Sequence, residues 1–439
     1  MKTELLKSSD QIPVSRDGDV LPESQIAETV RDVLAKTEFI DIHTHLFSPS
    51  FGKLGLWGID ELLTYHYLEA ELFRSSNIRP EQYWEVSKRE QADLIWRTLF
   101  VENMPVSEAT RGVVTVLKAF DLPTNRPDLA EARSFFEAQT IEAHIERVLQ
   151  MAGISTVVMT NDPLDLDESA VWVKGVGNNR QFRAVLRLDR ILCTWQAHWQ
   201  VLASQGYKVD EHASGKSAAE VRRFLMEWCK RMQPVYMAVS LPDTFQYPQD
   251  TLGNRLLREA VLPVCRELNL PLSLMMGVRK QVNPALRLAG DAVGRSNMVA
   301  LENLCREFPD SRFLVSVLSR ENQHELCVYA RKFNNLMPFG CWWFMNNPSI
   351  VEEITRERIE MLGTSFIPQH SDARVLEQVI YKWHNTRRTM SRLLADTYRL
   401  LSEDGRGVSR SDIQRDVTRL FRENAEAWMG SPGSASDVP

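Results

Sequence analysis

The sequence predicts an α/β protein of the (β/α)8 TIM-type barrel class, with a helical insertion after the first strand. Three observations carry that expectation. Eight short apolar runs alternate with helical segments along the chain, a His-x-His pair lies in the first run, and an aspartate follows the eighth. Strands buried on both faces read as near-continuous apolar runs, and their alternation with helices implies right-handed β-α crossovers in a parallel sheet. Eight such units are what a closed barrel needs.

The runs are 39–46 (FIDIHTHL), 154–160 (ISTVVMT), 183–189 (RAVLRLD) and 236–242 (YMAVSLP), then 271–278 (PLSLMMGV), 312–319 (RFLVSVLS), 336–344 (LMPFGCWWF) and 364–370 (TSFIPQH). Ahead of the first, residues 1–36 read as a polar arm and a short helix, on which Ile26, Val30, Val33 and Leu34 recur at helical spacing. The barrel is expected over 37–425. More than a hundred residues separate the first run from the second, too many for a plain loop, and they read as a mostly helical insertion at about 58–150. Within it Asp60 suits the N-cap of one helix running through ELLTYHYLEAELF. The low-complexity end, 426–439, reads as a disordered tail.

Composition narrows the function classes. The 439 residues are 44% hydrophobic and 25% charged, ordinary for a soluble enzyme. A formal net charge of −6 argues against a broad nucleic-acid surface. The six cysteines (Cys193, Cys229, Cys265, Cys305, Cys327, Cys341) are scattered with no C-x-x-C spacing, which predicts reduced thiols and a cytoplasmic setting. No stretch is apolar enough to span a bilayer, so no membrane partner is expected. Neither a G-x-G-x-x-G nor a P-loop pattern occurs, which argues against a nucleotide cofactor.

His43 and His45 flank Thr44 in the first run, and alternation along a strand turns both imidazoles to one face. At the C-terminal end of a barrel strand, two such imidazoles can share one divalent ion. Asp372 ends the eighth run, and the first and eighth strands of a closed barrel are neighbours, so its carboxylate arrives beside the histidines. Two imidazoles and one carboxylate leave coordination positions open, which suits catalysis. The competing reading of Asp372 is an N-cap for a helix starting near Arg374. His370 is left as a further ligand or a supporting group, and Arg320, Asn322 and His324 as pocket or helix-cap residues. His144, His198, His212 and His384 lack partners at ligand spacing and read as surface or helix residues.

HTHL, then HY in the following helix, then SDAR after the eighth run resemble the uronate isomerase (glucuronate isomerase) family of the amidohydrolase superfamily. LSREN at 318–322 and FGCWWFMNNPS at 339–349 are also similar, and the resemblance covers about residues 30 to 425. It implies a barrel of the metal-dependent hydrolase kind and an aldose–ketose isomerisation of a hexuronate, D-glucuronate to D-fructuronate or D-galacturonate to D-tagaturonate. It implies one divalent ion, Zn2+ first, with Mn2+, Co2+ or Ni2+ as alternatives, held by His43, His45 and Asp372.

The resemblance further makes Tyr67, Arg374 and Asp372 the catalytic group, with His66, Arg187, Trp342, Trp343 and Asp243 against the sugar acid. Tyr67 beside the Arg374 guanidinium would be favoured as phenolate and form an acid/base unit, with Asp372 as the rival base. The competing readings are a rim salt bridge for Arg187, packing on the barrel for Tyr67 and strand packing for the tryptophans. The chain departs from the family pattern at Met275, where many members carry a histidine, which leaves the sugar specificity open. Two other function classes fit the same ligands: a metal-dependent hydrolase of a lactone, amide or ester, and a non-catalytic sugar-acid-binding protein. The expected partner is a small sugar acid, with the oligomeric state, monomer or homo-oligomer, left open.

Overall fold

The computed structural model describes residues 19–430. Seven strands lie side by side: β1 (Phe39–Thr44), β2 (Ile154–Asn161), β3 (Phe182–Arg187), β4 (Met237–Pro242), β5 (Leu272–Arg279), β7 (Phe313–Val317) and β8 (Leu336–Pro338). Every neighbouring pair in this series is parallel. A two-residue strand, β6 (Ala292–Val293), turns back antiparallel on the end of β5. The sheet is buried on both faces: all of β1 and β7, and β5 up to Val278, are buried. Each fully buried Leu, Ile or Phe in such a layer contributes about 1.5–3 kcal/mol.

The run at 364–370 closes the barrel without forming a regular strand. On one side Ile367 N donates to Pro338 O at 3.0 Å and Gly340 N donates to Ile367 O at 2.9 Å. On the other, Asp372 N donates to His43 O at 3.1 Å and His45 N donates to Ala373 O at 2.7 Å. Pro368 has no N–H to give, and Asp372 sits in the left-handed region at φ 52°, so the ladder is interrupted where the ligand is presented. The seventh run also shortens: β8 stops at Pro338, and the tryptophans expected on it sit in a turn. Gly340 makes that turn, at φ 66°; a Cβ there would stand 1.9 Å from the His370 ring.

Between β1 and β2 the chain is helical. The single helix expected from Asp60 is two, Ile59–Leu63 and His66–Ser75, because Thr64 and Tyr65 leave the helical region. Asp60 is not a cap: Gly58 precedes the first helix, and the Asp60 carboxylate pairs with Arg133 at 2.8 Å. Helix Glu23–Lys36 packs on the 26-residue helix Gln378–Glu403, which runs down the outside of the barrel. Helix Asn424–Trp428 runs into the first residues of the stretch expected as tail, and Gly430 N reaches Val235 O at 2.6 Å. The arm before residue 19 and the tail after 430 lie outside the described residues.

Candidate metal centre and sugar-acid cavity

Backbone pairing across the barrel seam sets the ligands. With Asp372 N on His43 O and His45 N on Ala373 O, Asp372 Oδ1 falls 3.4 Å from His45 Nε2 and 3.7 Å from His43 Nε2. One ligand atom from each of the three lies within 4.8 Å of the others. Asp41 braces the seam, taking the Ser371 N–H at 2.9 Å and the Trp383 indole N–H at 2.8 Å.

The tautomer of His43 follows from its neighbours. Tyr236 Oη donates its one proton to Ile42 O at 2.7 Å, and Thr160 Oγ1 donates to Thr44 O at 2.8 Å. Both oxygens also face His43 Nδ1, at 3.1 and 3.5 Å, and with their protons committed they can only accept. His43 Nδ1 therefore carries the proton, and Nε2 presents a bare lone pair toward Asp372. Burial pushes His43 down to about 3 against the opposing pull of Asp372, and burial followed by Arg374 and Arg187 holds His45 well below the usual histidine range. Neutral imidazoles are what metal ligation requires. Asp372 Oδ1 is itself buried with no hydrogen-bond partner, a cost of about 1–3 kcal/mol or more that a cation would remove. The three residues fit a divalent ion.

The cavity above them is narrow, about 30 Å³, and carries Arg187, Lys280 and Arg374 against Asp189 and Asp372. A larger cavity of about 310 Å³, between 192–196 and 239–257, has no charged side chain in its wall and suits no sugar acid. Arg187 is clamped by Asp189 through two bonds of 2.8 and 3.2 Å, and that carboxylate holds its pKa up. Lys280 pairs with buried Asp291 at 2.7 Å and stands 5.4 Å from the centre of the Trp343 indole. His66, Trp342 and Trp343 line the cavity, as does Met275, almost fully buried on β5.

Two expected site residues lie elsewhere. Tyr67 is absent from the cavity wall: His66 opens the helix and faces the cavity, and one residue on, about 100° round, Tyr67 packs against Tyr65 at 4.9 Å. Its hydroxyl is buried without a partner. Burial, then Tyr65 and Asp372, pushes this phenol well above the usual range, the reverse of the shift expected from Arg374. The Arg374 charge is felt instead at Tyr65 and His66. Asp243 is also outside the wall; it pairs with Arg279 at 3.7 Å and fills the space over Gly294. Asp372 is no helix cap, since the next helix starts only at Gln378.

Of the residues left open, His370 packs 5.2 Å from the His43 ring with both nitrogens unpartnered. Arg320 pairs with Glu353 at 2.7 Å, Asn322 takes the Ser296 N–H at 2.9 Å and His324 pairs with Glu357, all outside the cavity wall. Lys280, Asp189, Thr160 and Tyr236 belong to the site and escaped the sequence reading. Asp189 ends an apolar run and was findable by that placement; Lys280, two residues past the fifth run, and Tyr236, at the start of the fourth, carried no such signal.

A parallel barrel that gathers His, His and Asp at its seam, beneath a cavity lined by three cations, defines an α/β-barrel protein with a group that could hold a metal ion. Structures place it further. The chain is 50% identical to a uronate isomerase from Bacillus halodurans, over 93% of this chain and 97% of that one, with a TM-score of 0.91. The chain belongs to the uronate isomerase family. A uronate isomerase from Thermotoga maritima (15% identity, 95% and 99% covered, TM-score 0.75) and a glucuronate isomerase from Caulobacter crescentus (13%, 95% and 96%, 0.72) share its fold. No family model matches the chain. No curated protein matches it either.

Proposed function

We propose that this protein is a uronate isomerase, converting D-glucuronate to D-fructuronate or D-galacturonate to D-tagaturonate at a mononuclear site. The observation that carries this reading is the 50% identity, across nearly the whole of both chains, to the uronate isomerase from Bacillus halodurans. The cavity supports it: three cations suit a sugar acid, and the reaction moves protons only, with no redox cofactor.

His43, His45 and Asp372 would hold the ion, Zn2+ by the preference of an N,N,O donor set, with Mn2+, Co2+ and Ni2+ as alternatives. When bound, it supplies Lewis-acid polarisation of substrate oxygens. Arg187, fixed by Asp189, and Arg374 hold carboxylate and hydroxyl oxygens, and Trp342 and Trp343 wall the sugar chain. The C2 proton leaves for a base and returns to C1, while the O2 hydroxyl proton passes to O1. Asp372 takes the role of base, since Tyr67 lies outside the cavity wall and burial keeps it protonated. The six free cysteines, five of them buried, agree with a cytoplasmic setting. No helix among the described residues is long and apolar enough to cross a membrane.

The test is to incubate the zinc-loaded protein with a panel of hexuronates in deuterated water and follow isomerisation and C–H exchange by NMR. Conversion of at least one hexuronate is expected. No turnover of any of them, with hydrolysis across a lactone and amide panel, would overturn the reading.

A further inference from the structure

The end of β5 breaks the alternation that a strand imposes on its side chains. Met275 faces the cavity, so by alternation Gly277 and Arg279 should share its face. Instead Val278 and Lys280 line the cavity, and Arg279 turns out to Asp243. The inversion happens at Gly277. There the pairing with β4 slips by one residue, with Leu241 opposite Met276 and Pro242 opposite Val278. Gly277 sits at φ 110°, and a Cβ on it would stand 2.9 Å from Gly294 O and 3.2 Å from Ser296 Oγ. Such a bulge favours glycine and re-aims the side chains that follow it.

The bulge delivers a cation that is held in place. Lys280 Nζ donates to Asp291 Oδ2 at 2.7 Å, and the Gln281 N–H donates to the other carboxylate oxygen at 2.8 Å. The Asp291 side chain is 1% exposed, so the anchor is a fixed one. Nζ also stands over the Trp343 ring, 5.4 Å from its centre, within reach of a cation–π attraction. An ammonium carries three donors, and one goes to Asp291, which leaves two for oxygens in the cavity. The Lys280 side chain is 63% exposed against 28% for Arg187, which puts Lys280 at the mouth and Arg187 deeper.

We propose that Lys280 is a substrate-holding residue, its ammonium binding oxygens at the mouth-facing end of the sugar acid, and that the Gly277 bulge places it there in preference to Arg279. The proposal rests on the isomerase reading for the identity of the acid; the placement of the cation stands without it. Lysine presents rotatable donors on a flexible stem, which suits the hydroxyl and carbonyl oxygens of a sugar chain, whereas arginine presents a planar fork matched to carboxylates. A charge that grips the molecule equally before and during the reaction lowers KM and leaves kcat alone.

The experiment titrates D-glucuronate and D-galacturonate into the zinc-loaded full-length protein by calorimetry and measures KM and kcat on the same samples. Lys280→Met and Lys280→Gln should each raise Kd and KM about tenfold, with kcat within about threefold. The Gln variant keeps a donor for Asp291, so a purely structural role would spare it. Arg279→Gln, one residue away and outside the cavity wall, should leave Kd unchanged. A wild-type Kd in Lys280→Gln overturns the proposal, even where Lys280→Met loses affinity or fails to fold. An equal loss in Arg279→Gln overturns it too, because the bulge would then not choose between the two cations. Hexuronate turnover with unchanged Kd in both lysine variants strikes this proposal alone. Binding weakened by Lys280→Gln, in a protein that turns over no hexuronate, would sink the isomerase reading and leave Lys280 standing. If neither hexuronate binds the wild type, both fall.

Discussion

The Ser371 backbone N–H donates to Asp41 Oδ1 at 2.9 Å, joining residues 330 positions apart at the barrel seam. The other Asp41 oxygen takes the Trp383 indole N–H, so one carboxylate ties the first strand to both the segment that presents Asp372 and the helix behind it. Burial raises Asp41 to about 6 while these two bonds pull it down.

Asp41→Ala leaves both donors buried and unpaired, an expected loss of about 2–5 kcal/mol in a urea melt. Asp372 follows Ser371 directly, so zinc affinity should fall about 10–100-fold in a chelator-competition titration. A stability loss with unchanged affinity would show that the backbone pairing of the seam positions Asp372 without Asp41.

Tyr236 controls the metal site through a proton rather than a contact. Its oxygen accepts from His43 Nδ1 only because its own proton is spent on Ile42 O. Tyr236→Phe removes that acceptor and leaves Thr160 at 3.5 Å, so zinc should bind about tenfold more weakly while the fold persists. Thr160→Val, which removes the longer contact, should do less. Equal affinity for wild type and Tyr236→Phe would refute the tautomer assignment.

Glu69 offers a pH signature away from the metal. It is buried, accepts from Tyr83 Oη at 3.1 Å, and burial raises its carboxyl to about 7. With the folded pKa above the unfolded one, the unfolded chain binds fewer protons between about 4.5 and about 7, so this group lowers stability as pH rises through that window. Gln has no proton to lose there. The stability of Glu69→Gln relative to wild type should therefore improve from pH 4 to pH 8, by up to about 3 kcal/mol, in paired urea melts. A difference flat with pH would show that Glu69 is not protonated in the folded state.

Much of the barrel was legible because strands buried on both faces cannot hide their apolar character. The runs around Val157, Leu274 and Val315 all became strands. The run holding Ile367 was legible as a barrel member but not as an irregular one, since the positive φ at Asp372 answers to hydrogen bonds from β1. His144 shows the limit most clearly. It reads as a partnerless helix histidine, yet its Nε2 meets Glu377 Oε1 at 2.7 Å with neither side chain exposed. Nothing in a helix-spaced sequence signals a partner 233 residues away. Tyr67 falls outside the cavity wall for a different reason: a helix start fixed one residue earlier or later turns a side chain by about 100°.

The sequence by itself determined the barrel class, the histidine pair on its first strand and the aspartate that could reach them, because periodicity and strand order are local properties of the chain. Tertiary structure alone decided which His43 nitrogen is bare, that Asp243 turns away to Arg279, that Lys280 joins the cavity wall, and that Lys382 stands over the Tyr67 ring. Those are outcomes of burial and of contacts between distant segments. In a protein interior, desolvation and a single well-placed partner outweigh what a side chain's neighbours in sequence suggest.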